Sequence, residues 1–319
     1  APQPRARVGR VVLVPAAGSR AADLAWLKDH RTDLVAVANA AHPSMKKRGG
    51  GALAASFRTP GKFISVDLQI DVCQAMGANS VNTMAEAVGH WLSNHGFNVL
   101  TAILSNYATT SLQQVECHVN FEQLATKAMA GQVVAQRMAD LSALAQVDPY
   151  RAATHNKGIM NGIDAVMIAS GNDWRAIEAG AHAYAARDGQ YRGLSQWRVD
   201  GDQLIGDLTM PMPVGSVGGS IKIVPLVKIN HHLMKIESAV QLAQIIVAVG
   251  LGQNLAALYA LVTDGIQRGH MRLQLKSLAA SVGATKDEIP MLVNALEEQH
   301  ARDSHTAEVL LKKIREEKE

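Results

Sequence analysis

The sequence predicts an α+β protein in three parts: a small mixed domain, a larger and mostly helical domain with a hairpin, and a helical appendage. Three observations predict it. In residues 63–72, apolar Ile64, Val66, Leu68, Ile70 and Val72 alternate with polar Ser65, Asp67, Gln69 and Asp71, as in a half-buried strand. Met84, Ala87, Val88, Trp91 and Leu92 then recur at helical spacing. Beyond Gly269, long apolar runs give way to short amphipathic ones.

Taken in order, residues 8–14 read as a strand broken by Pro15, Gly18 and Ser19. Residues 22–39 read as one helix, with Leu24, Leu27, Leu34, Val35 and Ala38 on roughly one face. The basic run Lys46-Lys47-Arg48 leads into a glycine loop, and residues 52–58 form a short strand ending at the turn Thr59-Pro60-Gly61. After the alternating strand come a loop at 75–80, a helix stopped at 94–96 and a strand at 99–104. The order β-α-β-β-α-β is the ferredoxin-like split βαβ pattern, so residues 1–106 are expected to form the small domain.

Residues 107–266 form the expected larger domain. A strand at 115–121 precedes a helix at 132–145, a turn marked by Pro149, and helices at 158–170 and 174–186. A hairpin follows, with strands at 191–199 and 203–210 joined at Asp200-Gly201. A loop rich in Pro and Gly leads to two apolar helices, at 238–249 and 255–263. Residues 267–319 are expected to be a helical flap with segments at 273–280, 286–299 and 306–318, the second opened by a Thr285–Glu288 capping box.

Composition narrows the function. At 48% apolar and 18% charged, the 319 residues belong to a folded chain. A net charge of +3, only 4% aromatics and no basic stripe argue against a nucleic-acid partner. Cys73 and Cys117 lie in no CxxC, so neither a metal nor a disulfide framework is expected, and a reducing cytoplasm fits. No uninterrupted apolar run reaches ~18 residues, so no membrane span is expected, nor is a signal peptide. The chain opens at Ala1, just ahead of a strand, and an upstream segment is expected.

Two positions invite chemistry. Lys157, in His155-Asn156-Lys157-Gly158, is expected at a helix start, where a cation adds to a positive site for a carboxylate or developing oxyanion. Asp173 has the spacing of an N-cap. A solvated lysine and a plain cap are the ordinary readings of each alone. Together, a partly buried Lys157–Asp173 pair would tune both groups. His270, where the body joins the appendage, is either a proton donor or a histidine at a domain joint. The loop Ala75-Met76-Gly77-Ala78-Asn79 precedes a helix whose N–H groups could hold a pyrophosphate, although no GxGxxG is present. The loop at 215–219 reads as ordinary.

Longer strings carry a resemblance. Ala75 to Ala87 (AMGANSVNTMAEA), Asp148 to Asp164 (DPYRAATHNKGIMNGID), Gly171 to Ala185 (GNDWRAIEAGAHAYA), Met210 to Gly215 (MPMPVG) and Gly265 to Met271 (GIQRGHM) resemble the bacterial class of 3-hydroxy-3-methylglutaryl-coenzyme A reductases. The resemblance implies reduction of that coenzyme A thioester to mevalonate by two NADH or NADPH, or the reverse oxidation. It implies that Lys157 stabilises the oxyanion, Asp173 bonds Lys157, and His270 protonates the departing thiolate. Arg151, Asn161 and Gln253 would hold the acyl carboxylate and hydroxyl, and Met76, Gly77, Ala78, Asn79 and Asn106 would line the nicotinamide cofactor. A homodimer-based oligomer is implied, with its site across the interface. Three departures stand out: no Glu-Glu-Pro-Ser-type string supplies the family's catalytic Glu, Gln74 stands where an Asp is usual, and no acid follows the first helix. Lys46 and Lys47 near that last position favour NADPH. The missing Glu leaves a second reading, a non-catalytic fragment or a subunit whose partner supplies it.

Overall fold

The computed structural model describes residues 5–263 and 265–316, apart from the side chains of residues 220 and 266–273. Helices and strands are mixed throughout, as an α+β class requires. The chain divides into two compact units, one of Ala1–Asn120 with Ala139–Leu255, the other of Phe121–Met138 with Ala256–Glu319.

The first unit holds two antiparallel sheets. Strands β1 (Ala6–Leu13), β2 (Gly51–Arg58), β3 (Ile64–Asp71) and β4 (Val99–Ser105) pair in the order β2-β3-β1-β4. Between the strands run α1 (Arg20–Asp29), α2 (Arg31–Ala41), α3 (Pro43–Lys47) and α4 (Ala78–Asn94). Leu27 and Leu34 from the first two helices and Val81, Met84, Val88 and Leu92 from α4 pack with Val11, Val66, Leu68 and Ile70 of the sheet. The expected single helix at 22–39 is divided at His30. Its ring stacks on Trp26 at 3.8 Å, and its Nδ1 lies 2.8 Å from the Trp26 carbonyl, which closes α1 before α2 begins. The basic run also differs from expectation: Lys46 and Lys47 end a short helix, α3, started by Pro43 at its first turn.

The second sheet is β5 (Leu112–Asn120), β6 (Ser195–Asp200) and β7 (Gln203–Pro211), in the order β5-β7-β6. The expected hairpin is present, and Gly201 at φ +58° supplies the left-handed turn residue. In chain order the helices are α5 (Phe121–Leu124), α6 (Gly131–Val147), α7 (Pro149–Ala169), α8 (Trp174–Ala185), α9 (Pro225–Leu233) and α10 (Ala239–Val262). A short 3-10 turn spans Gly219–Lys222.

Three helical boundaries correct the expectation. Helix α7 starts nine residues earlier than expected, at Pro149 rather than Gly158. Pro149 sits in its first turn, where a missing N–H costs nothing, and the Asp148 side chain caps it through the Tyr150 N–H at 3.0 Å. Proline here opens a helix instead of breaking the chain. Helix α9 had no counterpart in the sequence reading. The two apolar helices expected at 238–263 are one, α10.

That merger makes one long apolar helix. Gln241, Gln244, Gln253 and Asn254 interrupt every apolar run, yet the helix spans 24 residues and contains an 18-residue window with a mean hydropathy of 1.9. Among the described residues it is one helix long and apolar enough to cross a bilayer. In this fold its Asn254 is buried and accepts hydrogen bonds from Ser195 Oγ at 2.8 Å and Trp197 Nε1 at 2.7 Å, tying the helix to β6.

In the second unit, α11 (Ile266–Ser281), α12 (Ile289–Glu298) and α13 (Ser304–Glu316) enclose a core of Leu275, Ala279, Leu292, Val293, Leu296, Ala307, Leu310 and Leu311. The Glu288 carboxylate accepts from the Thr285 N–H at 2.7 Å, the reach-back half of the expected capping box. It also receives two hydrogen bonds from Arg315, at 2.8 and 3.0 Å.

Candidate active site

A cavity of about 330 Å³ opens in the first unit where three loops meet. One loop runs from Ala75 to Ser80 and includes the four expected cofactor residues Met76, Gly77, Ala78 and Asn79. The second is Gly171, Asn172 and Asp173 at the head of α8, and the third runs from Gly215 to Ile221.

Local chemistry explains why these loops converge. Asn172 clamps Gly215: its Oδ1 accepts from the Gly215 N–H at 2.8 Å, and its Nδ2 donates to the Gly215 carbonyl at 3.1 Å. Gly215 in turn lies against the Ala75–Ser80 loop, since a Cβ there would fall 2.4 Å from the Met76 nitrogen. The Ser216 N–H reaches the Gln74 carbonyl at 2.9 Å, and Ala75 bridges Val217. Gly77 sits at φ +82° with Val72 packed beneath it, and it begins α4 without a side-chain cap. The first N–H groups of α4 are therefore left to an outside acceptor, a natural seat for an anion.

Asp173 caps α8, as its spacing predicted, accepting from the Ala176 N–H at 3.2 Å. It is exposed, and its ion pair is with Arg175 at 3.7 Å. Lys157 does not sit at a helix start. It lies mid-helix on the exposed face of α7, one turn before Asn161. The expected partly buried Lys157–Asp173 pair is thus not what the structure holds: both residues are exposed, and Asp173 faces Arg175.

Arg151 is half-buried on α7, its Nε without a partner, and burial lowers its pKa. Burial, with the Arg151 charge second, pushes His155 down to about 4, so that ring is neutral. His155 Nε2 contacts Ser195 Oγ at 2.7 Å, inside the buried network that ends on Asn254. Gln253 lies against α7, its Cβ 2.9 Å from where a Cβ of Gly162 would be. Asn106 is exposed after β4, and its carbonyl abuts Gly180 of α8, where a Cβ would fall 2.6 Å away. The His270 side chain lies outside the described residues.

The cavity thus gathers Met76, Gly77, Ala78 and Asn79 with Asp173, while Lys157, Asn161, Arg151 and Gln253 follow α7 and its contact with α10. Two arginines behind the cavity escaped the sequence reading. Arg7, on β1, is fully buried; its Nη1 donates to the Pro213 carbonyl at 3.4 Å, and its Nε and Nη2 have no partner. Burial, with the neighbouring Arg5 charge, lowers its pKa to about 10, against a partial pull from Asp173. Arg5 donates to the carbonyls of Val214 and Cys73, bracing both loops.

Comparison with known proteins decides the family. A sequence profile of hydroxymethylglutaryl-coenzyme A reductase matches residues 3–275. The chain belongs to the hydroxymethylglutaryl-coenzyme A reductase family. It is 40% identical over 295 residues to the 3-hydroxy-3-methylglutaryl-coenzyme A reductase of Archaeoglobus fulgidus, covering 91% of this chain and 66% of that one. It is 32% identical over 283 residues to a probable reductase of the same name from Borreliella burgdorferi, covering 86% and 66%. The chain therefore spans slightly less than two thirds of the length of these curated relatives. Among solved structures it is similar to the Streptococcus pneumoniae reductase, with a TM-score of 0.78, 46% identity and coverage of 98% and 75%. A second structure of the class II enzyme from that organism, bound to NADPH in open conformations, aligns with a TM-score of 0.77, 46% identity and coverage of 98% and 77%.

The loop at 215–219, read as ordinary, lines the cavity. The need for a bare Cα at Gly215 is visible only once Met76 lies against it.

Proposed function

We propose that this chain reduces 3-hydroxy-3-methylglutaryl-coenzyme A to mevalonate and free coenzyme A, consuming two reduced nicotinamide dinucleotides and two protons, or runs the reverse oxidation. The observation that supports it best is the cavity in which the Met76–Asn79 loop meets Asp173, in a chain of this family.

The residues present fit a nicotinamide dinucleotide. The uncapped start of α4 offers N–H donors to a pyrophosphate, and Gly215 and Gly77 keep the walls free of side chains. Met76, Gly77, Ala78 and Asn79 would hold it, with Asn106 at the edge of the site. When bound, the dinucleotide supplies the hydrides. Lys46 and Lys47, exposed at the end of α3, are suited to a 2′-phosphate, which favours NADPH over NADH.

The protein's own side chains do the rest in this reading. The Lys157 ammonium stabilises negative charge developing on the thioester carbonyl oxygen. Asp173 keeps a carboxylate at the cavity wall and orients Lys157 once substrate draws them together. Arg151, Asn161 and Gln253 hold the acyl carboxylate and hydroxyl, and His270 delivers a proton to the leaving thiolate. The sheet of β1 to β4 with its helices serves as the ferredoxin-like cofactor domain at residues 1–106. Residues 107–266 hold the substrate, and 267–319 act as the flap. The working form is a homodimer-based oligomer, measurable as solution mass by light scattering.

The test is chemical. Incubation with the thioester and NADPH should release mevalonate and free thiol in equal amounts, with two NADPH consumed for each. Thiol release without NADPH oxidation would mean hydrolysis and would refute the proposal.

A further inference from the structure

The most buried acid on α7 lies on the same face as Lys157. Lys157, Asn161 and Asp164 stand at positions i, i+4 and i+7, a single stripe of the helix. Asp164 Oδ1 is buried and meets no donor. The side chain within hydrogen-bond reach of Asp164 is Glu178 of α8, another carboxyl. Glu178 Oε2 in turn contacts His182 Nε2 at 2.7 Å, one turn along α8. His182 Nδ1 contacts the Tyr191 hydroxyl at 2.7 Å, with the two rings stacked at 5.9 Å.

Two carboxylates facing each other at a part-buried junction repel unless a proton lies between them. We propose that Asp164 and Glu178 share one proton across the α7–α8 junction and act as positioning residues for the Lys157–Asn161 face. His182 links the pair to solvent. The role given to that face depends on the reductase reading; the shared proton does not.

The surroundings leave the pair to itself. On α8 the neighbouring titratable group is His182, and on the following loop it is Tyr191, whose hydroxyl also meets Asn156. From α9, His231 is taken up by the Ser170 carbonyl at 3.0 Å. On β7, Asp207 pairs with Arg198 at 3.1 Å. No described cation reaches Asp164 to replace the proton. Burial first, then the bond to Glu178 and its charge, raise Asp164 to about 7.

A raised carboxyl binds its proton more tightly in the folded than in the unfolded chain. The associated stability is complete below about pH 4 and is lost as pH rises through about 7. Asp164→Asn replaces the shared proton with a permanent amide donor and removes this dependence. Thermal unfolding of the wild-type chain and Asp164→Asn, at about pH 5 and about pH 8, reads the difference between them. The variant should gain on wild type between the two conditions and melt higher at the alkaline one. A constant difference, or a variant less stable at both, overturns the shared proton.

Turnover against pH tests positioning. Wild-type kcat should fall as pH rises above about 7, and the fall should be shallower in Asp164→Asn, which keeps only the part due to the thiolate's proton donor. Asp164→Ala, with no donor at all, should lower kcat about tenfold with KM for the thioester changed less than about twofold. Superimposed wild-type and Asp164→Asn profiles overturn the positioning role. Absence of turnover in wild type refutes the reductase reading instead, and the melting comparison then decides the shared proton alone.

Discussion

Replacing Arg7 with methionine should make the protein more stable. Arg7 is fully buried on β1, with one long hydrogen bond, at 3.4 Å to Pro213, and two nitrogens without partners. Its pKa is lowered to about 10, chiefly through burial and then through Arg5. At about 1.4 kcal/mol per unit, keeping the charge there costs roughly 3 kcal/mol. The pull of Asp173 is already contained in that lowered pKa, and the long bond returns about 1 kcal/mol. Methionine has a similar length, fills the space and leaves no unpaired donor, so a net gain of about 1–2 kcal/mol is expected. Urea melts of wild type and Arg7→Met at neutral pH, followed by tryptophan fluorescence, measure it. Because Arg7 also braces the loop at Pro213, the same variant should bind NADPH more weakly. If Arg7→Met is less stable by about 1 kcal/mol or more, the guanidinium is a net anchor and the reasoning fails.

Other substitutions test neighbouring links. Gly215→Ala puts a Cβ 2.4 Å from the Met76 nitrogen, so it should cost about 1–3 kcal/mol and raise KM for NADPH. Asp173→Ala removes the cap on α8 and should cost about 1 kcal/mol in urea melts, whereas Asp173→Asn should keep most of that stability while losing activity. His155 is held neutral, with its pKa lowered to about 4 by burial and Arg151. Its folded pKa lies below the unfolded one, so acidification from about pH 6.5 to about pH 4 should lower the melting temperature, and less so in His155→Gln. Glu288 is drawn down to about 2, first by Arg315, so the α11–α13 bundle should lose stability as pH falls from about 4.5 toward 2, and Glu288→Gln should abolish that loss.

The parts of the fold legible in the sequence were those with a local signal. Strict alternation located β3, the Asp-Gly dipeptide located the β6–β7 turn, and spacing alone identified Asp173 as a cap. Signals with two meanings were misread. Pro149 was taken as a break although a proline in the first helical turn is equally at home there, and that displaced Lys157 from mid-helix to a helix start. Two apolar helices were expected at 238–249 and 255–263, and a single helix runs through both. The site was legible only in pieces. Met76 to Asn79 and Asp173 were chosen for separate reasons, and nothing local shows that the Asn172–Gly215 clamp joins them. The Asp164–Glu178 pair and buried Arg7 were invisible for the same cause: each depends on what the fold places opposite it.

The central claim is that Lys157, on the exposed face of α7, carries thioester reduction in this chain. Steady-state turnover of wild type and Lys157→Ala with the thioester and NADPH tests it most directly, with circular dichroism confirming the fold. The exposed position predicts an unchanged spectrum and melting temperature, and loss of an oxyanion donor predicts a kcat lowered by about 100-fold or more. A Lys157→Ala protein that oxidises NADPH at the wild-type rate would contradict it.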